Sequence, residues 1–475
     1  MKTVVLRTLF FLVAAITVNA AGAQVRLPSI FSDNMVLQRE AAVTIWGWSA
    51  PGQKIYVTNS WNNATDSTRA DGGARWTLTV NTPAAGGPYT LSVKGGDTIT
   101  FNNVMIGEVW ICSGQSNMQW SSLSGLVKPD SALVASAGNP GIRFLQVPHI
   151  TSEYPQDDVP VSWKECTPET AKGFSAVAYF FGSRLAGELN VPIGLINSSW
   201  GGTPAEVWTP ADEIAASPEL RTAADKQSPH FGRPHLAGSA YNAMIAPFTR
   251  YAIAGAIWYQ GESNVPTAPG YDMLMRTMIS SWRKAWNKEL PFYYVQIAPF
   301  KYGNKYAALL REAQTKTLGL PKTGMVVVSD LTEDVKDIHP RQKKGVGERL
   351  AGLALAETYH KPANAYKSPQ YRSLEIKKDK AVVYFDHASD GLVVKDNDRK
   401  ANAAEFYIAG EDRNFLPADV KIEGDHVIVS SKQVKNPVAV RFSFSDTGIG
   451  NIFSKAGLPV APFRTDSWEV DAKEK

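Results

Sequence analysis

The chain has 475 residues, 44% of them hydrophobic and 10% aromatic, and its 49 basic residues against 45 acidic ones give a formal net charge of +4. That length and composition predict a globular protein of two or three domains with ample core, and they exclude disorder on a large scale. The charge is small and spread out, with no basic block, so nucleic-acid and membrane-surface binding have no electrostatic footprint.

Residues 1–23 read as a secretory signal peptide. Lys2 and Arg7 form a basic start, Val4 to Val18 is almost wholly apolar, and Val18-Asn19-Ala20 and Ala21-Gly22-Ala23 are small-residue cleavage sites. The apolar run is too short and wrongly flanked for a stable transmembrane helix, and no later stretch is long enough to span a bilayer. The expectation is an exported protein, periplasmic or secreted, with no membrane insertion after signal cleavage. Its two cysteines, Cys112 and Cys166, admit either a disulfide under oxidising conditions or two free apolar fillers.

Residues 24–103 carry short alternating runs broken by turn signals. Val43–Gly47 and Lys54–Thr58 flank Pro51-Gly52, and Trp76–Val80 and Tyr89–Val93 flank Pro83 and Gly86-Gly87. Period-two strands at this spacing predict a small antiparallel β domain. Over residues 104–362 the rhythm changes. Apolar runs of strand length at Val104–Cys112, Val191–Asn197, Ala252–Tyr259, Phe292–Ala298 and Met325–Ser329 alternate with helical patterns at Ala178–Leu189, Tyr271–Trp286, Tyr306–Leu318 and Val346–Tyr359. This predicts a parallel sheet covered on both faces, with ligands bound beyond the carboxyl ends of the strands. Over residues 363–475 alternation returns at Leu374–Lys377, Ala381–Phe385, Glu405–Ile408, Val427–Ser430 and Val438–Phe444. That is a second β region, which packs with the first or stands alone.

The strand ends carry the chemistry. Ser116 follows the first strand in the turn Gly114-Gln115-Ser116-Asn117, which opens a helix; such a turn exposes a nucleophilic hydroxyl and aims backbone N–H groups at the same space, although a plain serine helix cap has the same local pattern. After the second strand comes Asn197-Ser198-Ser199-Trp200-Gly201-Gly202-Thr203, whose glycine pair can offer N–H groups to an oxyanion or simply make a tight turn. After the third comes Gln260-Gly261-Glu262-Ser263-Asn264, where Asn264 supplies a side-chain donor or closes a loop. After the fifth come Asp330, Asp334, Asp337 and His339. Of the seven histidines, His339 alone lies just past one of these strands with carboxylates nearby, the position of a general base. His230 and His235 fall in a Gly/Pro-rich loop. No pair of residues shows metal-ligand spacing, which disfavours a metal hydrolase.

Taken together, Gly114-Gln115-Ser116-Asn117-Met118 with Trp120, Asn197–Thr203, Gln260–Asn264 and Asp337-Ile338-His339-Pro340 resemble the motifs of the sialate O-acetylesterase family of SGNH hydrolases. The resemblance spans about Val104 to Tyr359, and Leu27–Leu37 is similar to the family's usual start. It implies an SGNH-type three-layer α/β core with a parallel sheet, flanked by N- and C-terminal antiparallel β regions. It implies Ser116 as nucleophile, His339 as base, and an oxyanion hole of the Ser116 N–H, the Gly201 or Gly202 N–H and the Asn264 side chain. Many SGNH enzymes place the acid three residues before the histidine, but Lys336 stands there. Asp337 is therefore the first choice, with Asp334, Glu262 or a backbone carbonyl as alternatives.

The implied reaction is removal of acetyl groups from sugar hydroxyls through an acyl-serine, with no cofactor and no metal. Gln115, Gln260, Trp120, Trp200 and Trp258, with Trp208 and Tyr259, are the candidates for shaping the sugar side, although core aromatics read the same way. Sialate carries a carboxylate, for which Arg143, Arg233, Arg341 and Lys343 are candidate partners. The alternatives are an acetylxylan or other polysaccharide acetylesterase and, in another class, a non-catalytic glycan-binding protein.

Overall fold

One long strand, β1 (Thr98–Gly114), joins the first two parts of the chain. The structure, a computed structural model, describes residues 24–229, 232–362, 365–395 and 403–470, so the signal-peptide segment and His230 lie outside the described residues. The first half of β1 alternates between exposed and buried residues, whereas Ile106 to Gly114 is continuously buried. Burial on one face suits an antiparallel sheet open to water, and burial on both suits a parallel sheet between helices. Accordingly the first half pairs antiparallel with Gly86–Lys94, and the second half runs into the parallel sheet. Beside it, Ala42–Trp48 pairs with Arg75–Asn81, and Lys54–Asn59 with Thr65–Arg69, both antiparallel.

The remaining strands of the central sheet are β2 (Ile142–Gln146), β3 (Trp163–Glu165), β4 (Ile193–Ser199), β5 (Gly255–Tyr259), β6 (Phe292–Val295) and β7 (Thr323–Val326). Their order is β7-β6-β5-β1-β4-β2-β3, all parallel except the edge strand β3. The five expected strands are present, and β2 and β3 extend the sheet beyond them. Strand order reverses at β1, so the ligand-binding crevice of such a sheet opens at the carboxyl end of β1.

Helices α1 (Ser116–Gln119), α2 (Ala176–Leu189), α3 (Tyr271–Trp286), α4 (Tyr306–Thr317) and α5 (Lys343–Leu353) surround the sheet. The Ser175 hydroxyl caps α2 by accepting the Ala178 N–H at 3.1 Å. Asn190 and Asn287, at φ 53° and 48°, end α2 and α3 in the left-handed conformation that asparagine tolerates. The side-chain alternation of the strands divides the core. Val109, Ile111, Ala256 and Trp258 face α3 and α4, while Trp110, Cys112, Ile257 and Tyr259 face α2 and α5. Each large apolar side chain buried this way contributes about 1.5–3 kcal/mol against the entropy of ordering the chain.

The C-terminal region forms its own sheets and core. Gln370–Lys377, Lys380–Asp386, His426–Ser430 and Asp419–Glu423 make one antiparallel sheet, and Leu416–Pro417, Phe406–Ala409, Ala439–Phe442 and Phe463–Arg464 make another. This region docks on the α/β core rather than standing alone. Arg464 forms a bidentate pair with Glu312 of α4 at 3.0 Å, and Asp446 accepts the Asn304 N–H at 2.9 Å. The fold is thus a three-layer α/β core with antiparallel β regions at both ends. Cys112 and Cys166 are both free and buried. Among the described residues no helix is long and apolar enough to cross a membrane, and no group of three or more His, Cys, Asp or Glu side chains is placed to hold a metal ion.

Candidate active site

Three strand ends meet in register: Gly114 of β1 pairs with Ser199 of β4 on one side and with Tyr259 of β5 on the other. At Gly114 the chain leaves the sheet with φ +134°, and a Cβ there would collide with the Tyr259 carbonyl. Only glycine fits. The turn is pinned on both sides, by the Gln115 N–H on the Tyr259 carbonyl and the Trp200 N–H on the Gly114 carbonyl, each at 3.0 Å. Ser116 follows as the first residue of α1, partly exposed.

The Ser116 hydroxyl is hydrogen-bonded to His339 Nε2 at 2.9 Å, although 223 positions separate the two residues. His339 lies in the loop after β7, and its imidazole is flat against the Trp120 indole, with ring centroids 4.4 Å apart. Burial and the nearby Lys343 ammonium hold the imidazole below its usual pKa, against an opposing pull from Asp337. A base kept neutral and in contact with a serine hydroxyl is the pair that acyl transfer needs.

The expected acids separate clearly. Asp337 Oδ1 lies 3.9 Å from His339 Nδ1, too long for a hydrogen bond, and accepts the His339 backbone N–H at 2.9 Å instead. Asp334 accepts the Lys336 N–H at 2.9 Å and caps the turn. Glu262 is buried beneath α1, where its Oε1 accepts from Asn117 at 2.5 Å. Asp337 therefore acts on the ring through its charge and through the backbone that carries it.

The oxyanion donors also separate. The Ser116 N–H, at the start of a helix, has no intrahelical partner. The Gly201 N–H donates to Gln119 Oε1 at 2.7 Å, with Gly201 so close that a Cβ would lie 3.2 Å from Ser116 Cβ. The Gly202 N–H has no partner among the described residues. Asn264, expected as a third donor, is placed differently: its Nδ2 donates to Glu206 Oε2 at 2.8 Å and its Oδ1 accepts from the Ala205 N–H and from Gln260 Nε2, each at 2.8 Å. Buried Glu206 captures the amide, so Asn264 and Gln260 brace the segment after the glycine pair.

Gln115, a candidate for the sugar side, is buried and fastens the turn instead, and Asn117 and Gln119 do the same without any sign in the sequence. Gln115 Oε1 accepts the Ser263 N–H at 3.2 Å, Asn117 Nδ2 donates to the Ile338 carbonyl at 3.1 Å, and Gln119 holds Gly201. Alternate side chains around Ser116 thus tie it to the loops after β5, β7 and β4. Of the aromatic candidates, Trp258, Trp208 and Tyr259 are core residues. Trp258 is wholly buried among Trp208, Trp282 and Phe292, because it falls on the inward face of β5. Trp120 is the wall of His339. Trp200 stacks on the exposed His149, with planes 6° apart and centroids at 4.6 Å.

The basic candidates divide as well. Arg143 is buried on β2 and pairs with Glu165 at 3.1 Å, and Lys343 is buried under α1. Arg341 is exposed, with Asp337 at 3.9 Å. Arg233 is exposed, and its guanidinium lies over Gly202 where any Cβ would collide with it; it makes no ion pair among the described residues.

Comparisons with known proteins place the chain in a family. A family model described as carbohydrate esterase, sialic acid-specific acetylesterase matches residues 106–361. Sialate O-acetylesterase of Homo sapiens is 30% identical over 405 residues, which cover 77% of this chain and 77% of the human protein. The Mus musculus sialate O-acetylesterase is 29% identical over 429 residues, covering 77% of this chain and 79% of its own. A crystal structure of a carbohydrate acetylesterase from Xanthomonas citri aligns with a TM-score of 0.85 at 37% identity, covering 94% of this chain and 100% of that one.

Proposed function

Because this chain belongs to the sialic acid-specific acetylesterase family of carbohydrate esterases, we propose that it removes acetyl groups from sialic acid hydroxyls through an acetyl-Ser116 intermediate. It is a carbohydrate O-acetylesterase. The single observation that carries the catalytic assignment is the 2.9 Å contact between Ser116 Oγ and His339 Nε2 at the switch point of the sheet.

The steps follow from the geometry. Ser116 Oγ attacks the acetyl carbonyl carbon as its proton passes to His339 Nε2. We assign the Ser116 and Gly202 N–H groups as donors to the developing oxyanion, and the Gly201 N–H joins them if Gln119 yields it. The sugar oxygen leaves with the proton from His339. Water then attacks the acetyl-serine and gives a proton to His339, which passes it to Ser116 Oγ as acetate is released. Asp337 stabilises the imidazolium through space. No residue of the scheme requires a metal or a cofactor.

Two features support sialate as the sugar. The Trp200–His149 stack offers an apolar platform beside Gly201, and the Arg233 guanidinium over Gly202 offers a charged partner to a sugar carboxylate. The basic, apolar and small-residue order of residues 1–23 supports export. The test is acetate release from O-acetylated sialic acid and from acetylated xylan, with Ser116→Ala as the blank. Preference for sialate that is lost in Arg233→Ala supports the reading. Preference for xylan moves the enzyme to polysaccharide processing with the same catalytic pair. Release from neither leaves a glycan-binding protein.

A further inference from the structure

Beneath Ser116 lie charged groups that the acyl-transfer steps do not use. Lys343, the first residue of α5, and Glu262, after β5, are 1% and 6% exposed. Asn117 stands between them: its Oδ1 accepts from Lys343 Nζ and its Nδ2 donates to Glu262 Oε1, both at 2.5 Å. The same Nδ2 donates to the Ile338 carbonyl at 3.1 Å, one residue before the base. The Lys343 ammonium also faces the rings of Trp120 and Tyr259, at 5.8 and 5.6 Å from their centroids. Glu262 Oε2 has no hydrogen-bond partner among the described residues.

This arrangement costs stability. Burying an ammonium and a carboxyl group that do not touch carries a desolvation cost, and an ammonium at a helix N-terminus opposes the helix dipole. An unpartnered buried carboxylate oxygen adds a desolvation penalty. Something other than folding retains these groups, and their location says what: they lie between the nucleophile helix and the loop that carries the base.

We propose that Asn117, Lys343 and Glu262 form a positioning cluster for His339. Asn117 fixes the Ile338 carbonyl and with it the imidazole against Ser116 Oγ, the Lys343 charge keeps that imidazole neutral, and Glu262 holds Asn117 and balances the ammonium. The proposal rests on the reading of Ser116 and His339 as the catalytic pair. The groups that face His339 are Lys343 from α5, Asp337 in its own loop, and Ser116 and Trp120 from the α1 segment. Those that face Lys343 are Glu262 after β5, and Glu333 and Asp337 in the histidine loop. Lys343 lowers the His339 pKa, and burial brings Lys343 itself down to about 7, so the ammonium is present chiefly below neutral pH, where His339 would otherwise be protonated, while burial raises the Glu262 carboxyl above its usual range and its own charge fades as pH falls.

The test is an NMR titration of the His339 imidazole in the wild type and in Lys343→Met, with kcat/KM against pH on an aryl acetate. The expected result is a His339 pKa that rises in Lys343→Met and an acid limb that moves up with it, so that relative activity near pH 5.5 drops by about fivefold or more. A folded Lys343→Met protein with both unchanged overturns the electrostatic half. Asn117→Asp keeps the shape but puts an acceptor where the donor to Ile338 stood. The expected effect is a kcat lower by about tenfold or more at unchanged KM, and wild-type kcat in this variant overturns the positioning half. The titration does not depend on turnover. Failure of the catalytic reading is separate: it shows as wild-type acetate release no greater than that of Ser116→Ala.

Discussion

Trp120 lies against the His339 imidazole with ring planes 21° apart, and its indole N–H donates to the Gly125 carbonyl at 2.7 Å. The imidazole is therefore supported by a ring that is itself locked before substrate arrives. Trp120→Ala removes the wall and lets the imidazole drift from Ser116 Oγ. The expected outcome is a kcat reduced by about tenfold to hundredfold, with Trp120→Phe closer to the wild type. Steady-state kinetics on a soluble acetyl ester check this, and wild-type kcat in Trp120→Ala contradicts it.

The pH dependence follows from the environment of His339. In the proposed role of general base it works deprotonated, so activity persists above its pKa and falls as pH drops through it. Burial first, then the Lys343 charge, lower that pKa from the ordinary 6.5. The acid limb of kcat/KM is expected below 6.5, with activity retained in mildly acidic solution. A limb at or above the ordinary value contradicts the account.

Asp337 acts from 3.9 Å, without a hydrogen bond to the ring. Its loss is therefore expected to hurt less than in a triad where the acid binds the imidazole directly, an effect of roughly ten-thousandfold. Asp337→Asn keeps the acceptor for the His339 N–H and is expected to lower kcat by less than about a hundredfold, against near-complete loss in His339→Ala. Parallel kinetics of the two variants decide it. Equal losses would mean that Asp337 closes onto Nδ1 during turnover.

Gly114 turns at φ +134° with the Tyr259 carbonyl against it. Gly114→Ala meets both the strained backbone and the collision, and is expected to cost about 2–4 kcal/mol of stability. Denaturant unfolding measures this, and a variant as stable as the wild type contradicts the turn geometry.

Much of this architecture is legible in the residues. The long apolar runs and the clear 3.6-residue periods mark β1, β5 and α3, and the motifs at their ends mark Ser116 and His339. The short edge strand β3 (Trp163–Glu165) was not, because three residues carry no period. Asn264 reads locally as a donor at a strand end, and nothing nearby in sequence shows that Glu206, 58 positions away, takes its amide. Trp258 reads as a site aromatic by proximity, whereas the alternation of β5 points it into the core. Gln115 reads as a sugar-side candidate, and Asn117 and Gln119 look like polar residues on a helix turn. Their partners lie on other loops, so only the tertiary structure shows that they fasten the site.

The most direct test of the central claim is labelling by an active-site-directed phosphonate, mapped by peptide mass spectrometry alongside residual acetate release. The account predicts one label on Ser116, loss of activity in step with it, and no label in Ser116→Ala or, at the same exposure, in His339→Ala. Inactivation with the label on another residue, or full activity with Ser116 labelled, would contradict it.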